Sequence, residues 1–288
     1  MKSNTLFELV DTVSWYLKPV FRKIIDYIDT QPVNEADDTT WKNLGSKGEG
    51  DPNKFYLWAV LNDKAACFNV YNARNQKVAK NFLGKLEGFL VTDGHSSFKA
   101  LGGANSKLIL ANDWCHARRR FKEARKNYGP EAKTFLDAMK TLFSIEDEIR
   151  DKPPDQRHQL RQEKSKPVVE RIRELLDQTV CLPESSLGRA ITYTDKLWEG
   201  LTVFLSDPRV PIHTNNVERA LRSPAIGRKN HLGSKNLATA SVAAIWYSVI
   251  TTCKLNGVDP REYITATIRN ILSKKPYLMP WEWAASKS

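Results

Sequence analysis

The sequence is poor in sulfur, in paired metal ligands, in long apolar runs and in acid. Its four cysteines, Cys67, Cys115, Cys181 and Cys253, lie far apart and form no CxxC pair. That spacing excludes a zinc ribbon and a disulfide-stapled scaffold, and predicts four reduced, mostly buried thiols. The five histidines, His95, His116, His158, His213 and His231, make no HxxxH or HExxH pattern, so no sequence motif for zinc hydrolysis is present. No apolar run reaches the roughly 18 residues needed to span a bilayer. The opening segment MKSNTLFELVDTVSWYL carries acids and lacks a small-residue cleavage site, which argues against a secretory signal and for a cytoplasmic protein. Internal repeats and low-complexity tracts are also missing. The shortage of acid matters most. Against 44 Lys and Arg stand 33 Asp and Glu, a net charge of +11 with pI ≈ 9.4. A balance of that kind favours a polyanionic partner, nucleic acid before an anionic membrane surface.

What is present has the pattern of an α/β chain. At 288 residues it can form one large domain or two smaller ones. Apolar residues at steps of three and four, from Leu6 to Ile28, predict a helix over 1–30 that Pro19 kinks and Pro32 stops. Residues 33–45 read as a strand interrupted by Asp37 and Asp38, and 46–54 as a turn. Phe55–Leu61 and Ala65–Tyr71 flank the tight turn Asn62-Asp63 and predict a hairpin. A helix over 75–86, a short buried strand at Gly88–Thr92, a helix over 96–101 and a strand at Lys107–Asn112 follow. From Trp114 to 205 the periodicity is helical and the strand signal fades. Then come a basic loop over 224–240, an apolar helix over 241–256 stopped by Gly257, and a helix from Pro260 to about 273.

Two strands carry an acid at or near their ends: Asp37, beside Asp38, in the first, and Asp93, before Gly94, after the fourth. A third acid, Glu218, stands in PIHTNNVERALR, where Thr214, Asn215 or Asn216 can cap a helix and Glu218 falls one turn inside it. Taken singly, each is an ordinary ion-pair partner. Three carboxylates from separate elements can instead hold hard divalent cations, Mg²⁺ or Mn²⁺, and two such ions serve in-line phosphoryl transfer.

The ordered segments EADDTTWK, FYLWAV, GFLVTDGHSSFKAL, WCHARRRFKEA, PIHTNNVERALR, IGRKNHLGSK and AAIWYSVI through GVDPREYI resemble the IS66 family of bacterial transposases from about residue 35 to the end. The resemblance implies a ribonuclease-H-like mixed sheet flanked by helices, with an α-helical insertion before the last acid and a helical C-terminal element. It implies an N-terminal helical segment at 1–34, a catalytic core at 35–113 and 206–250, the insertion at 114–205 and the C-terminal element at 251–288. By that likeness Asp37, Asp93 and Glu218 are catalytic and metal-binding, with two Mg²⁺ ions as cofactor, and Asp38 stays open as the first ligand. The implied reaction is DNA cleavage and strand transfer at transposon ends. The implied partners are transposon-end and target DNA, further copies of the chain, and accessory proteins of the same element. Two departures stand out: Glu35 where the family usually has histidine, and Ala238 where glycine is common. Relatives carry a longer N-terminal part, so the chain reads as the catalytic portion of a transposase. A metal-dependent nuclease of the same fold and a non-catalytic DNA-binding derivative remain alternatives.

Several basic and aromatic residues keep two readings. Arg118, Arg119, Arg120, Lys122, Arg125 and Lys126 form either a solvated helix face or a phosphate-contacting one. Arg228 and Lys229, ten residues beyond Glu218, read as DNA contacts, as do Arg219 and Arg222. His116 and His95 are site candidates or ordinary helix-start histidines. Asp113 is a fourth acid or a helix cap. Trp198, Trp246 and Tyr247 read as core.

Overall fold

The computed structural model describes residues 3–45, 54–104 and 107–287. The fold is α/β, with a five-stranded mixed sheet flanked by helices. In order the elements are α1 (Ser3–Asp29), β1 (Val33–Lys42), β2 (Lys54–Leu61), β3 (Ala66–Tyr71), α2 (Gln76–Leu83), β4 (Gly88–Thr92), α3 (Ser96–Ala104) and β5 (Leu108–Asn112). The helices α4 (Trp114–Ala124), α5 (Gly129–Ile149), α6 (Pro154–Leu160), α7 (Lys166–Gln178), α8 (Ser186–Lys196) and α9 (Trp198–Thr202) follow. The chain closes with α10 (Asn215–His231), α11 (Leu237–Leu255), α12 (Pro260–Leu272) and α13 (Pro280–Lys287). The turn expected over 46–54 lies almost wholly outside the described residues.

Contacts divide the chain into two compact units. One is Met1–Gly88, Ser96–Leu108 and Asn215–Ser288; the other is Phe89–His95 and Ile109–Thr214. In the first, β1, β2 and β3 run antiparallel, with Asp37 opposite Ala59, Asp38 opposite Trp58, and Trp58 opposite Asn69. Alternate side chains of a strand face opposite ways. Trp41, Leu57, Ala59 and Phe68 accordingly share one buried cluster with Val217 and Leu221 of α10 and Ala240 and Ala244 of α11. The hydroxyls that interrupt apolar α11 also have a task. Ser248 Oγ accepts from the Phe68 N–H at 2.8 Å, and Thr252 Oγ1 accepts from the Ala66 N–H at 3.1 Å. Backbone donors of β3 that another strand would otherwise satisfy are thus met by a helix.

The second unit is helical beyond the ends of β4 and β5. Trp114 is fully buried and its Nε1 donates to the Leu201 carbonyl at 2.8 Å. Phe121 stacks on Phe135 with ring centroids 4.4 Å apart. A buried ion pair joins Arg161 to Glu146 at 2.7 Å, and the same guanidinium donates to the carbonyls of Phe204 and Asp207. Every charge in that group has a partner, as a buried ion pair requires.

One expectation needs correction. The basic loop expected over 224–240 is helix at both ends, because α10 runs through Pro224 to His231 and α11 begins at Leu237. A proline inside a helix removes one backbone bond; here packing of buried Leu221 and Pro224 keeps the helix going past it. Only 232–236 remains as a connection, turned by Leu232 and Gly233 at φ 62° and 136°. The C-terminal tail forms α13, whose Pro280 start and Glu282 first turn suit a helix N-terminus.

Candidate functional site

In the first unit the site is built on β1 and α10. The Glu35 carboxylate is buried, 5% exposed, yet it is satisfied. It accepts from Asn216 Nδ2 at 2.7 Å and from the Val217 N–H at 3.3 Å. A strand residue thus caps the first turn of α10, where free N–H groups and the positive end of the helix dipole stabilise a carboxylate. At the other end of α10, Arg228 donates to Thr39 Oγ1 at 3.1 Å and to the Thr40 carbonyl. Between these ties, Val217 and Leu221 pack with Trp41. The following connection is sewn to the same strand: Trp41 Nε1 donates to Ser234 Oγ at 3.0 Å, and the Ser234 N–H donates to the Lys42 carbonyl at 3.1 Å. A side chain at Gly233 would lie 2.2 Å from that carbonyl oxygen, so glycine is required there.

This frame separates the adjacent acids Asp37 and Asp38. By strand alternation Glu35, Asp37, Thr39 and Trp41 share one face, and Glu35, Thr39 and Trp41 all engage α10 or the connection that follows it. Asp38 faces the other way. Its side chain is 3% exposed and takes Arg74 Nε at 2.6 Å. Asp37, half-buried, accepts from the Asp38 N–H at 2.7 Å. Glu218 is half-buried in the first turn of α10. Arg219, Arg222 and Lys229 are exposed on the same helix, whereas Arg228 is half-buried and bonded to Thr39 and Thr40.

In the second unit a polar network surrounds the ends of β4 and β5. Asp93 Oδ1 accepts from the His95 N–H at 2.8 Å, and the Asp93 carbonyl accepts from the Tyr193 hydroxyl at 2.7 Å. Gly94 turns the chain at φ 76°, and a Cβ there would lie 2.5 Å from Leu197 Cδ1. Burial, then the charge of Asp93, pushes the Tyr193 hydroxyl up to about 12, so it stays protonated as the donor. Asp113 caps α4 by accepting from the Cys115 N–H at 2.5 Å. Its other oxygen takes Thr214 Oγ1 at 2.6 Å and His116 Nδ1 at 2.8 Å. Burial alone would raise the Asp113 carboxyl, but the hydrogen bonds from His116 and Thr214, the His116 charge and the Cys115 N–H hold it below its ordinary value. His116 is raised first by that hydrogen bond, against burial, with the charges of Asp113 and Asp93 adding.

The basic face of α4 is not uniform. Arg118 is half-buried with its guanidinium 5.4 Å from the centre of the Phe143 ring, on which His213 also stacks. Arg119, Lys122, Arg125 and Lys126 are exposed, and Arg120 lies 5.2 Å over Tyr193. Tyr247 touches Trp41 and Phe68, Trp246 Nε1 donates to the Val10 carbonyl, and Trp198 meets Trp114 edge to face. Glu35 and Thr214 carry structural weight at the candidate site that periodicity could not reveal. Glu35 drew notice only as a departure from a family pattern, and Thr214 only as a possible cap.

Comparison with known proteins bears on what such a site serves. A family model described as "Transposase IS66 family" matches residues 1–242, a span that includes Asp37, Asp93 and Glu218. Three similar curated relatives come from Sinorhizobium fredii, and each is described as an uncharacterized protein. The protein y4jD is 31% identical over 96% of this chain and 58% of its own length. For y4qI the identity is 32% over 86% of this chain and 50% of its own, and for y4hP 30% over 98% and 56%. The chain thus spans about half the length of the curated relatives it matches.

Proposed function

The chain belongs to the IS66 family of transposases, and from that premise we propose that it is the catalytic part of a DDE-type enzyme that cleaves transposon-end DNA and joins it to target DNA. Asp37, Asp93 and Glu218 are the acids assigned to bind divalent metal. The donor set suits the ion: carboxylate oxygens are hard ligands of the kind Mg²⁺ and Mn²⁺ prefer. Two such ions, when bound, supply activation of a water or 3′-hydroxyl and stabilisation of the departing oxygen. The observation that carries the reading is the clamp between β1 and α10. Glu35 ties the strand to the first turn of the helix, and alternation sets Asp37 on the same face as Glu35 while Asp38 is committed to Arg74. That clamp holds Asp37 and the turn bearing Glu218 within one packed unit before any metal arrives, which is the preorganisation that charge-stabilising catalysis needs.

The protein's own residues then bind and orient. Tyr193 and Gly94 hold the Asp93 turn. Arg119, Arg120, Arg219, Arg222 and Lys229 are the cations assigned to phosphates, and their exposure supports that assignment. Arg118 and Arg228, assigned to DNA from sequence, are better read as frame residues, because both are half-buried, one against the Phe143 ring and one bonded to β1. Joining two transposon ends calls for at least two copies on the DNA. The test is Glu218→Gln assayed with Mg²⁺ on a pre-cleaved transposon-end duplex. Strand transfer should disappear while DNA binding persists. Undiminished transfer in the variant sinks the reading, and cleavage without transfer by the wild-type chain makes it a nuclease instead.

A further inference from the structure

Within the second unit, α4 and α8 pack together and border an open cleft of about 590 Å³. Three cations line it: Arg120 from α4, and Arg189 and Lys196 from α8. All three are exposed. Tyr193 forms part of the wall, and its ring lies under the Arg120 guanidinium at 5.2 Å, which holds that charge at the cleft surface. The Tyr193 hydroxyl is bonded to the Asp93 carbonyl, so a single side chain connects the cleft wall to the turn that carries Asp93. At the opposite end of α8, Ser186 lines the cleft with a buried Oγ that meets no hydrogen-bond partner among the described residues. A buried hydroxyl without a partner is destabilising unless a ligand or solvent satisfies it. It stands in the first turn of an eleven-residue helix, where backbone donors and the helix dipole favour an anion. Glu123 and Glu184 also border the cleft. Glu123 lies 3.8 Å from Arg120, an exposed pairing of the kind that contributes little and yields to a stronger acceptor. The preceding segment exposes Val180 and Leu182, apolar neighbours for the sugars of a strand whose phosphates reach the cations.

We propose that this cleft is a DNA-backbone site, in which Arg120, Arg189, Lys196 and Ser186 seat phosphodiester groups of the strand that leads to Asp93. The identity of the polyanion rests on the transposase reading; the anion chemistry rests on the cleft alone. The experiment uses the whole chain with a chelator present, so that no cleavage occurs. Binding of a fluorescent duplex, and separately of the same sequence as a single strand, is followed across a salt series. The double variant Arg189→Ala, Lys196→Ala should weaken binding by about tenfold and lower the slope of log affinity against log salt by about two, one for each lost phosphate contact. Both positions are exposed, and thermal unfolding checks that the fold is kept. A control, Lys133→Ala with Lys140→Ala on α5, removes the same charge from elsewhere on this unit and should leave the slope unchanged. Equal changes in the two double variants, or none in the cleft variant on either DNA form, overturn the proposal. Loss on one DNA form only supports it and identifies whether the cleft takes duplex or single strand. Because this assay needs no metal, it stands apart from the Glu218→Gln test: either can fail while the other succeeds.

Discussion

The two units hold their acids by different means. In the first, β1 and α10 are locked by apolar packing of Trp41, Val217 and Leu221, with one carboxylate and one guanidinium fastening the ends. In the second, the acids are held by hydrogen bonds: Asp113 takes three donors, and the Asp93 turn is tied by Tyr193 and shaped by Gly94. A packed frame fixes direction through volume and tolerates loss of one polar tie. A polar network in a buried place depends on every member, because each lost partner leaves another group unsatisfied. The difference predicts where substitutions disable chemistry, where they unfold the protein, and where pH matters.

The largest contrast lies between neighbours. Asp37→Asn should abolish Mg²⁺-dependent DNA cleavage and leave the unfolding midpoint nearly unmoved. Asp38→Asn should keep activity and cost about 1 kcal/mol, because the carboxylate charge that pairs with Arg74 is lost. Activity measured beside urea unfolding decides this, and the opposite pattern would assign the ligand role to Asp38.

Next in size is Asp113. Replacing it with Ala removes a helix cap and orphans Thr214 and His116, a loss of about 3 kcal/mol. Its charge also makes stability depend on pH. His116 is raised on folding, so its share is complete below about pH 6.5 and is lost as pH climbs through the higher folded value. Asp113 is lowered, so its share is complete above about pH 4 and is lost as pH falls through the folded value. The pair therefore stabilises most between about pH 4 and 6.5. Asp113→Asn should flatten the decline expected of the wild type as pH rises above about 6.5; an unchanged decline in the variant would locate the titration elsewhere.

A milder effect than that of Asp113→Ala tests the packed frame. Glu35→Ala should cost about 2 kcal/mol, as a buried acceptor pair and a helix-end charge disappear while the apolar contacts of α10 remain. Urea unfolding should show a lower midpoint with unchanged slope. A loss as large as that of Asp113→Ala would mean that the first unit, too, depends on its polar ties.

Much of the fold was legible in the chain. Apolar runs bounded by turn residues marked β2 to β5, Val33, Thr39, Thr40 and Trp41 marked β1 despite its two acids, and three-and-four spacing marked α1 and the helices after Trp114, because those periods express one buried face directly. Pro224 misled because a local breaker was weighed without the packing around it. The asparagine, serine and aspartate caps of α2, α8 and α12 agree with local rules. The first turn of α10 also uses a carboxylate that no local rule could supply, since Glu35 lies far earlier in the chain.

What the sequence determined by itself was therefore composition and period: a basic α/β chain, its strands, most of its helices and three acids in a family's order. Which of two adjacent aspartates joins Glu35 on the α10 face, which arginines are spent inside the frame, and what caps α10 were decided only by tertiary structure. The physical reason is that charge and periodicity are properties of neighbours in the chain. A buried carboxylate chooses its donors among groups nearly two hundred residues away, and only the folded backbone brings them within 3 Å or so.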